Sequence, residues 1–253
     1  MLLALDVGNT SITVGAFRGE RLVSRGRIPT QEPRVERYAR ALRRFLRTLG
    51  APPGKVEAVI LSSVVPRATA ALRPALRGLV RPAPVVVGET LQAPVINRYR
   101  VPRQVGQDRL VNAAAASFLY GGPAIVVDFG TALTLDLVTR RREYLGGLIV
   151  PGLEIALEAL ASRTALLPRL KLTPPSEFLG RDTRSSMLSG LFHGYGALCD
   201  GLVAAMKRRH APAAKVIATG GYAGIIAPFC RSIRIVNPDL TLQGLRLIYQ
   251  KSC

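Results

Sequence analysis

Aromatic residues are scarce in this sequence, and tryptophan is absent. Phe and Tyr make up 6% of the 253 residues, whereas 48% of the residues are hydrophobic, so the core must be built from Leu, Val, Ile and Ala. The charged fraction of 20% is ordinary for a globular protein and excludes disorder over most of the chain. This length accommodates one large domain or two smaller ones.

Cysteine and histidine are also too few to suggest a disulfide framework or a zinc site. Cys199, Cys230 and Cys253 are odd in number, widely spaced and without a CxxC pair, which fits a reducing cytoplasm. His193 and His210 have no companions at metal-ligand spacing. We interpret the cysteines and His193 as structural.

Long hydrophobic runs are missing as well. Asp6 interrupts the apolar N-terminal segment too early for a signal peptide, and no later run approaches the length of a membrane span. We therefore expect a soluble, cytoplasmic protein.

Acidic residues are few compared with basic ones. The sequence has 35 Lys and Arg against 16 Asp and Glu, a net charge of +19, and 30 of the basic residues are Arg. Such a charge is typical of proteins that bind nucleic acid or acidic membranes. A nucleic-acid binder would usually cluster its basic residues and interleave aromatic ones, whereas these arginines are spread over the whole chain, apart from one face of the predicted helix at 33–50 and "RRR" at 140–142. A GC-rich coding bias would enrich Arg, Ala, Gly and Pro together. We favour that bias and expect neither a nucleic-acid nor a membrane partner.

The hydrophobic pattern predicts an α/β protein with two related halves, residues 1–112 and 113–253. The first set of predicted elements comprises strands at 2–7, 11–17, 21–28, 56–65 and 83–89 and helices at 33–50 and 67–80, the latter broken by Pro74. The second set comprises a helix at 108–120, strands at 124–129, 132–138, 143–150 and 214–221, and helices at 152–162, 184–209 and 241–250.

One local pattern occurs twice. "LALDVGNTSITV" (3–14) and "IVVDFGTALTLD" (125–136) each end an apolar strand with Asp, followed by one residue, a Gly and an alternating strand. A single Asp of this kind could simply cap its own turn. Its recurrence at Asp6 and Asp128, each in the first hairpin of a three-strand unit, indicates an internal duplication.

The chemistry of the two hairpins fits phosphate binding. Gly8 and Gly130 let backbone N–H groups approach phosphate oxygens, and Thr10 and Thr131 can add hydroxyl donors. A carboxylate beside phosphate requires a cation between them, and Mg²⁺ uses one or two carboxylates with water and phosphates. Neither a Walker motif nor GxGxxG is present. We therefore predict a nucleoside triphosphate site with Mg²⁺, bound from both hairpins.

Six motifs sharpen this prediction. They are "DVGNT" (6–10), "GQDR" (106–109), "DFGTALT" (128–134), "GGLIVPG" (146–152), "GRDT" (180–183) and "ATGG" (218–221). In this order the chain resembles, over essentially its whole length, the type III pantothenate kinases of the acetate and sugar kinase, heat-shock ATPase and actin superfamily. The resemblance implies duplicated actin-like (ribonuclease H-like) domains, each a mixed β-sheet flanked by helices, with an interdomain nucleotide cleft. It also implies ATP-dependent phosphorylation of pantothenate to 4′-phosphopantothenate, the first step of coenzyme A biosynthesis.

The same resemblance implies roles for individual residues. Asp108 would be the general base, Asp6 would hold Mg²⁺ through water, and Asp128 would lie at a monovalent-cation site for K⁺ or NH₄⁺. The implied ATP-binding residues are Asp6, Val7, Gly8, Asn9, Thr10, Ser11, Ile12, Thr13, Thr131, Gly220 and Gly221. The implied pantothenate-binding residues are Tyr99, Gly106, Gln107, Asp108, Arg109 and Thr183. The active site would be completed across a homodimer interface, with Thr183 acting from the partner chain.

Some alternatives stay open. Asp108 precedes an apolar-periodic run and could instead be a helix N-cap. The chain could also be a superfamily kinase for another small substrate, or a basic regulatory or nucleic-acid-binding accessory protein on the same fold. In "GRDT", Arg181 and Asp182 stand where many relatives of the family have Lys and Asn, so that Asp182 would add a charge near the substrate site.

Overall fold

The computed structural model describes residues 1–31, 33–50, 55–80 and 83–252. The chain divides into two compact units, Met1–Phe118 with Leu240–Cys253, and Leu119–Asp239. Cys253 lies outside the described residues. This division differs from the predicted halves, 1–112 and 113–253, chiefly in the C-terminal helix, which packs on the sheet of the first unit.

The first unit contains a five-stranded mixed sheet. Its strands are β1 (Leu2–Val7), β2 (Ser11–Arg18), β3 (Arg21–Pro29), β4 (Ala58–Ser63) and β5 (Val85–Val86), and the short strand β6 (Ile96–Asn97) follows in the chain. Its helices are α1 (Val35–Thr48), α2 (Pro66–Arg77), α3 (Gln107–Tyr120, which ends just beyond the unit boundary) and the C-terminal helix α7 (Leu240–Gln250). The strand order is β3-β2-β1-β4-β5, with β1 antiparallel to β2 and parallel to β4.

The second unit repeats this topology. Its strands are β7 (Ala124–Phe129), β8 (Ala132–Val138), β9 (Glu143–Pro151), β10 (Lys215–Thr219) and β11 (Ile235–Val236). Its helices are α4 (Leu153–Arg163), α5 (Thr183–His210) and α6 (Ala223–Ile226). The strands run in the order β9-β8-β7-β10-β11, and β7 is antiparallel to β8 and parallel to β10. The prediction of two related α/β halves with mixed sheets is therefore confirmed.

The first hairpin of each unit pairs its strands in the same way, but the two loops differ in length. Asp6 lies opposite Thr13 in β2, and Asp128 lies opposite Thr134 in β8. Residues 8–11 form the first loop and residues 130–132 form the second, so the first loop is one residue longer. An ungapped alignment of residues 3–14 with residues 125–136 therefore matches equivalent positions only as far as the shared glycine. Beyond it the alignment is shifted by one residue.

Each unit has its own apolar core, and both cores are mainly aliphatic, as the composition predicts. The first is formed by the sheet with α1 and α2, whose buried residues include Tyr38, Leu42 and Leu72. The second surrounds the sheet with α4 and α5, where Phe129 and Phe192 are fully buried. Packing in these two cores fixes the positions of the strands whose ends carry the candidate functional residues.

Two predicted elements differ from the observed ones. Helix α2 runs through Pro74 without a break, because the proline ring lies on the exposed face while Leu72, Ala75 and Leu76 on the other face are buried in the core. The predicted strand at 83–89 is reduced to β5, Val85–Val86.

The helix α7 closes the first unit. Gly15 in β2 lies so near this helix that a Cβ added to it would come within 2.9 Å of Leu242 Cδ1. A Cβ added to Gly244 would come within 2.8 Å of Val111 in α3. The last helix of the chain therefore packs tightly between the first sheet and α3. Among the described residues, none of the helices has the length and apolar character that a bilayer crossing requires.

Candidate active site

The carboxylate of Asp6 lies at the carboxyl end of β1, in the middle of the first sheet. The parallel strand β4 places Ser62 directly beside it in the register. Ser62 Oγ donates a hydrogen bond to Asp6 Oδ1 at 2.9 Å, and Ser62 is fully buried. The parallel pairing and this hydrogen bond together give the Asp6 carboxylate a fixed orientation at the strand end.

Asp108 approaches from the first turn of α3. The helix begins at Gln107, so Asp108 lies inside the first turn and the position before the helix belongs to Gly106. Asp108 Oδ1 accepts a hydrogen bond from the Arg109 N–H at 2.8 Å. A Cβ on Gly106 would lie 2.5 Å from that same oxygen. Glycine at 106 thus makes room for the carboxylate, and the N-cap alternative for Asp108 is wrong.

The two carboxylates act on each other. The pKa of Asp6 is raised from its ordinary value of 3.8 to about 7, first because the carboxyl is buried and second because the negative charge of Asp108 is near. The hydrogen bond from Ser62 opposes this rise. Two predicted functional residues that are more than a hundred residues apart in the sequence therefore come together at the carboxyl end of β1.

The residues around Asp108 are also closely packed. Gly88 has a φ of +91°, and a Cβ there would come within 2.5 Å of the Gln107 side chain. Gln107 Oε1 is buried and, among the described residues, has no hydrogen-bond partner. The side chain of Arg109 is buried at 9% exposure. Each of these two side chains can therefore serve a ligand only from a fixed position.

Tyr99 is held by a turn that precedes α3. Its N–H donates to Asn97 Oδ1 at 3.0 Å, and Asn97 Nδ2 donates to the Pro102 carbonyl at 3.1 Å. Tyr99 is partly buried, whereas its neighbours Arg98 and Arg100 are exposed. The turn thus fixes the backbone from which the tyrosine projects.

In the second unit the predicted residues Asp128 and Gly220 come together. The parallel strand β10 pairs Thr219 with Asp128, and the chain then turns at Gly220, where φ is +92°. A Cβ on Gly220 would lie only 2.3 Å from Asp128 Oδ1. Gly220 is therefore required both for the turn and for the space that the carboxylate occupies.

The second hairpin loop rests on Gly152, the residue before α4. A Cβ on Gly152 would lie 2.1 Å from the Thr131 carbonyl oxygen and 2.7 Å from that of Gly130. This packing explains the last glycine of "GGLIVPG". Thr131 is exposed at the tip of the loop it belongs to.

Thr183 is the first residue of α5, and Asp182 is the N-cap of that helix. Asp182 Oδ1 accepts from the Ser185 N–H at 2.8 Å, and Ser185 Oγ accepts from the Asp182 N–H at 3.1 Å. The hydrogen bonds from Ser185 lower the pKa of Asp182. The additional charge in "GRDT" therefore has a structural use, which the sequence analysis missed although the spacing of Asp182 and Ser185 is typical of a capping box.

Sequence reasoning also missed Ser62 and Thr30. Ser62 lies near the end of an apolar strand, as Asp6 does, but only the parallel pairing of these strands, which the sequence does not give, places the two residues side by side. Thr30 lies beyond the third strand and bonds to the first hairpin loop. The cysteine pair was missed as well, because Cys199 and Cys230 are distant in sequence yet are buried, free and in contact through their thiols.

Solved structures with the same fold include nucleotide-binding proteins. The chain is similar to the ROK hexokinase of Thermus thermophilus, with a TM-score of 0.55 and 18% identity over 99% of this chain and 98% of that chain. It is also similar to the activator of the 2-hydroxyisocaproyl-CoA dehydratase from Clostridium difficile, solved with bound ADPNP, with a TM-score of 0.56 and 12% identity over 99% and 96% of the two chains. These similarities confirm the actin-like (ribonuclease H-like) fold.

Sequence comparison is more specific. A family profile described as type III pantothenate kinase matches residues 2–205. The chain is 43% identical over 253 residues to a type III pantothenate kinase of Geobacter sulfurreducens, and the match covers 100% of this chain and 99% of that relative. By both the profile and the full-length similarity, the chain belongs to the type III pantothenate kinase family.

Proposed function

We propose that Asp108 is the general base of the reaction and that Asp6 beside it is the cation-facing carboxylate. As a member of its family, the enzyme transfers the γ-phosphoryl group of ATP to pantothenate and forms 4′-phosphopantothenate, the first step of coenzyme A biosynthesis. The observation that carries the assignment is the convergence of Asp6, at the carboxyl end of β1, and Asp108, in the first turn of α3. Paired carboxylates in such a position are typical of functional sites.

The proposed reaction moves one phosphoryl group and one proton. The primary alcohol oxygen of pantothenate forms a bond to the γ-phosphorus while the bond from that phosphorus to the β–γ bridging oxygen breaks, and ADP leaves. The alcohol proton passes to the Asp108 carboxylate and then to solvent. Phosphoryl transfer has a loose transition state, so the proton leaves late and the orientation of the alcohol matters more than the basicity of the carboxylate. The Arg109 N–H, which donates to Asp108 Oδ1, orients the carboxylate that would receive the proton.

Asp6 fits the divalent metal that accompanies ATP in a kinase of this kind. Mg²⁺ bound with ATP supplies charge neutralisation for the transferring phosphoryl group. Desolvation and the nearby charge of Asp108 both raise the pKa of the Asp6 carboxyl, and a cation bound through water would offset both effects. No group of three His, Cys, Asp or Glu side chains among the described residues could hold a metal alone. A site completed by water and phosphates needs no such group.

The ATP contacts are proposed on both hairpins. We assign phosphate binding to residues 6–13, that is Asp6, Val7, Gly8, Asn9, Thr10, Ser11, Ile12 and Thr13. We assign a further ATP contact to Thr131 and the nucleoside to Gly220 and Gly221. Asp128 is assigned to a monovalent cation, K⁺ or NH₄⁺. The approach of Gly220 to the Asp128 carboxylate supports this assignment, because it couples the cation position to the nucleoside-binding turn.

Pantothenate recognition is proposed at Tyr99, Gly106, Gln107, Arg109 and Thr183. The guanidinium of Arg109 can bind the pantothenate carboxylate through two parallel hydrogen bonds. The buried Oε1 of Gln107 is an acceptor that a substrate hydroxyl or amide can satisfy.

We also propose a homodimer in the cytoplasm, with Thr183 acting from the partner chain. The second unit exposes a series of large apolar side chains, which are Leu145, Leu148, Ile149, Ile155, Leu160, Leu166, Phe178 and Leu179. Ile149 is 64% exposed and Phe178 is 76% exposed. Exposed apolar surface of this kind supports association. Family membership does not favour the alternative of a regulatory or nucleic-acid-binding protein.

The test is pantothenate-dependent ADP release, measured with ATP, Mg²⁺ and K⁺ for the wild type and for Asp108→Asn. Loss of a general base lowers kcat by about 10²- to 10⁴-fold, and we expect the KM for ATP to stay close to the wild-type value. Asp200→Asn is the matched control, because Asp200 accepts hydrogen bonds from Arg231 and Ser232 in the second unit. Wild-type turnover by Asp108→Asn would disprove the assignment of the base.

A further inference from the structure

The loop of the first hairpin, residues 8–11, is held by Thr30. Thr30 directly follows β3 and is 4% exposed. Its Oγ1 donates to the Gly8 carbonyl at 2.7 Å, and its N–H donates to the Thr10 carbonyl at 3.1 Å. One buried residue therefore fixes two of the carbonyl groups of the loop.

Thr30 is fixed in turn by Tyr38 of α1. The Tyr38 hydroxyl donates to the Thr30 carbonyl at 3.0 Å, and the tyrosine side chain is fully buried. Burial raises the pKa of the Tyr38 phenol, so the hydroxyl keeps its proton and remains a donor. A continuous series of hydrogen bonds thus connects α1, through Thr30, to the loop.

These bonds determine where the N–H groups of the loop point. In a trans peptide the C=O and N–H groups point in opposite directions. Because the Gly8 carbonyl points to Thr30, the Asn9 N–H points away from Thr30. Asn9 and Thr10 are exposed at the tip of the loop. A backbone N–H held in this way is a donor that a phosphate oxygen can use without any cost of ordering the loop.

We propose that Thr30 is a positioning residue for the phosphates of ATP, acting through the loop at Gly8–Ser11, and that Tyr38 supports it. This inference rests on the proposed assignment of residues 6–13 to phosphate binding. Thr30 lies outside all six motifs, between β3 and α1, and is not one of the residues assigned to contact ATP or pantothenate.

The experiment measures the dissociation constants of a non-hydrolysable ATP analogue and of AMP by calorimetry, for the full chain with Mg²⁺. Thr30→Val removes the hydroxyl and keeps the shape, Thr30→Ser keeps the hydroxyl, and Tyr38→Phe removes only the support. Thr139→Val is the matched control, because Thr139 Oγ1 accepts from Arg141 N and Glu143 N in the β8–β9 turn and takes no part in the proposed site. The melting temperature of each variant is measured alongside.

We expect Thr30→Val to raise the dissociation constant of the ATP analogue by about fivefold, which is the effect of one lost hydrogen bond. The dissociation constant of AMP should stay unchanged. Thr30→Ser should restore binding, Tyr38→Phe should show a smaller loss, and Thr139→Val should lower the melting temperature without changing either constant. Equal losses for the ATP analogue and AMP, or wild-type affinity in a folded Thr30→Val, would overturn the proposal.

If Thr30→Val does not fold, Tyr38→Phe decides: weakened binding of the ATP analogue alone supports the proposal, and unchanged binding overturns it. Failure of the wild type to bind the ATP analogue would instead refute the phosphate-binding assignment of residues 6–13, and this proposal with it.

Discussion

The two first hairpins share a topology and a register, yet they are supported in different ways. In the first unit the loop is held by a side-chain hydroxyl from Thr30, and the strand-end carboxylate Asp6 faces a second carboxylate, Asp108. In the second unit the loop rests on the backbone of Gly152, and Asp128 faces the Cα of Gly220. The duplication preserved the path of the chain, while the chemistry at the two strand ends diverged. At the end of β1 two negative charges lie close together, whereas at the end of β7 the backbone is closely packed around Gly152 and Gly220.

Replacement of each hairpin carboxylate by its amide is the strongest test of this difference. We expect Asp6→Asn to lower kcat by about 100-fold or more, in line with the loss of a charge that stabilises a metal-assisted transition state. Asp128→Asn should chiefly raise the concentration of K⁺ needed for half-maximal rate. Steady-state rates over separate titrations of Mg²⁺ and K⁺ measure both effects. Identical responses of the two variants would contradict the distinction between the two ends.

The close packing of the second hairpin loop on the backbone is tested at Gly152. Gly152→Ala would place a Cβ 2.1 Å from the Thr131 carbonyl, so we expect a loss of about 3 kcal/mol in the free energy of unfolding, the scale of an overpacking clash. Gly201→Ala in α5 is the control, because a Cβ there meets nothing within 4 Å. That change should stabilise the helix by about 0.5–1 kcal/mol. Denaturant titrations compare the two, and equal stability of both variants would argue against the tight contact.

The raised pKa of Asp6 predicts an unusual pH dependence of the free energy of unfolding. Asp6 has a pKa of about 7 in the folded chain and an ordinary value of 3.8 when exposed, so the folded state binds the proton more tightly. Its contribution to stability is therefore full below pH 3.8 and is lost as the pH rises through about 7. In the absence of Mg²⁺, Asp6→Asn should melt several degrees above the wild type at pH 8 and show no such gain at pH 4.

Added Mg²⁺ should raise the melting temperature of the wild type at pH 8 and have little effect on Asp6→Asn, because the cation replaces the proton at that carboxylate. Melting curves at the two pH values, with and without Mg²⁺, provide the measurement. A variant less stable than the wild type at pH 8 would show that Asp6 is not destabilising when ionised.

The smallest expected effect is at Ser62. Ser62 donates to Asp6 Oδ1 and lowers the pKa of Asp6, opposing burial and Asp108. Ser62→Ala should therefore move the Asp6 titration, and with it the pH at which stability is lost, to higher pH. Thermal melts from pH 5 to pH 9 would detect the shift. Thr69→Val serves as the control. It removes the hydrogen bond from Thr69 to Oγ of Ser63, the residue that follows Ser62 in β4, and should leave that pH unchanged.

Sequence alone predicted the duplicated sheets, the two Asp-bearing hairpins and the family, because strand periodicity and short motifs are local signals. It could not predict that Ser62 lies beside Asp6, since this depends on the pairing of strands more than fifty residues apart. Thr30 was missed for the same reason, because it contacts the loop from beyond β3. Gly152 stands in a motif that the sequence showed, but its contact with the second loop could not be predicted, because it comes from the residue before α4. The prediction of a break at Pro74 was wrong because the position of its ring, on the exposed face of an amphipathic helix, follows from packing and not from the local sequence.

The return of α7 to the first sheet makes that sheet depend on a distant part of the sequence. Helix α7 packs on β1, β2 and β4, although residues 119–239, which form the second unit, separate it from the other elements of the first unit. Local unfolding of α7 would therefore uncover the strand that carries Asp6 and leave the strands of the second unit paired.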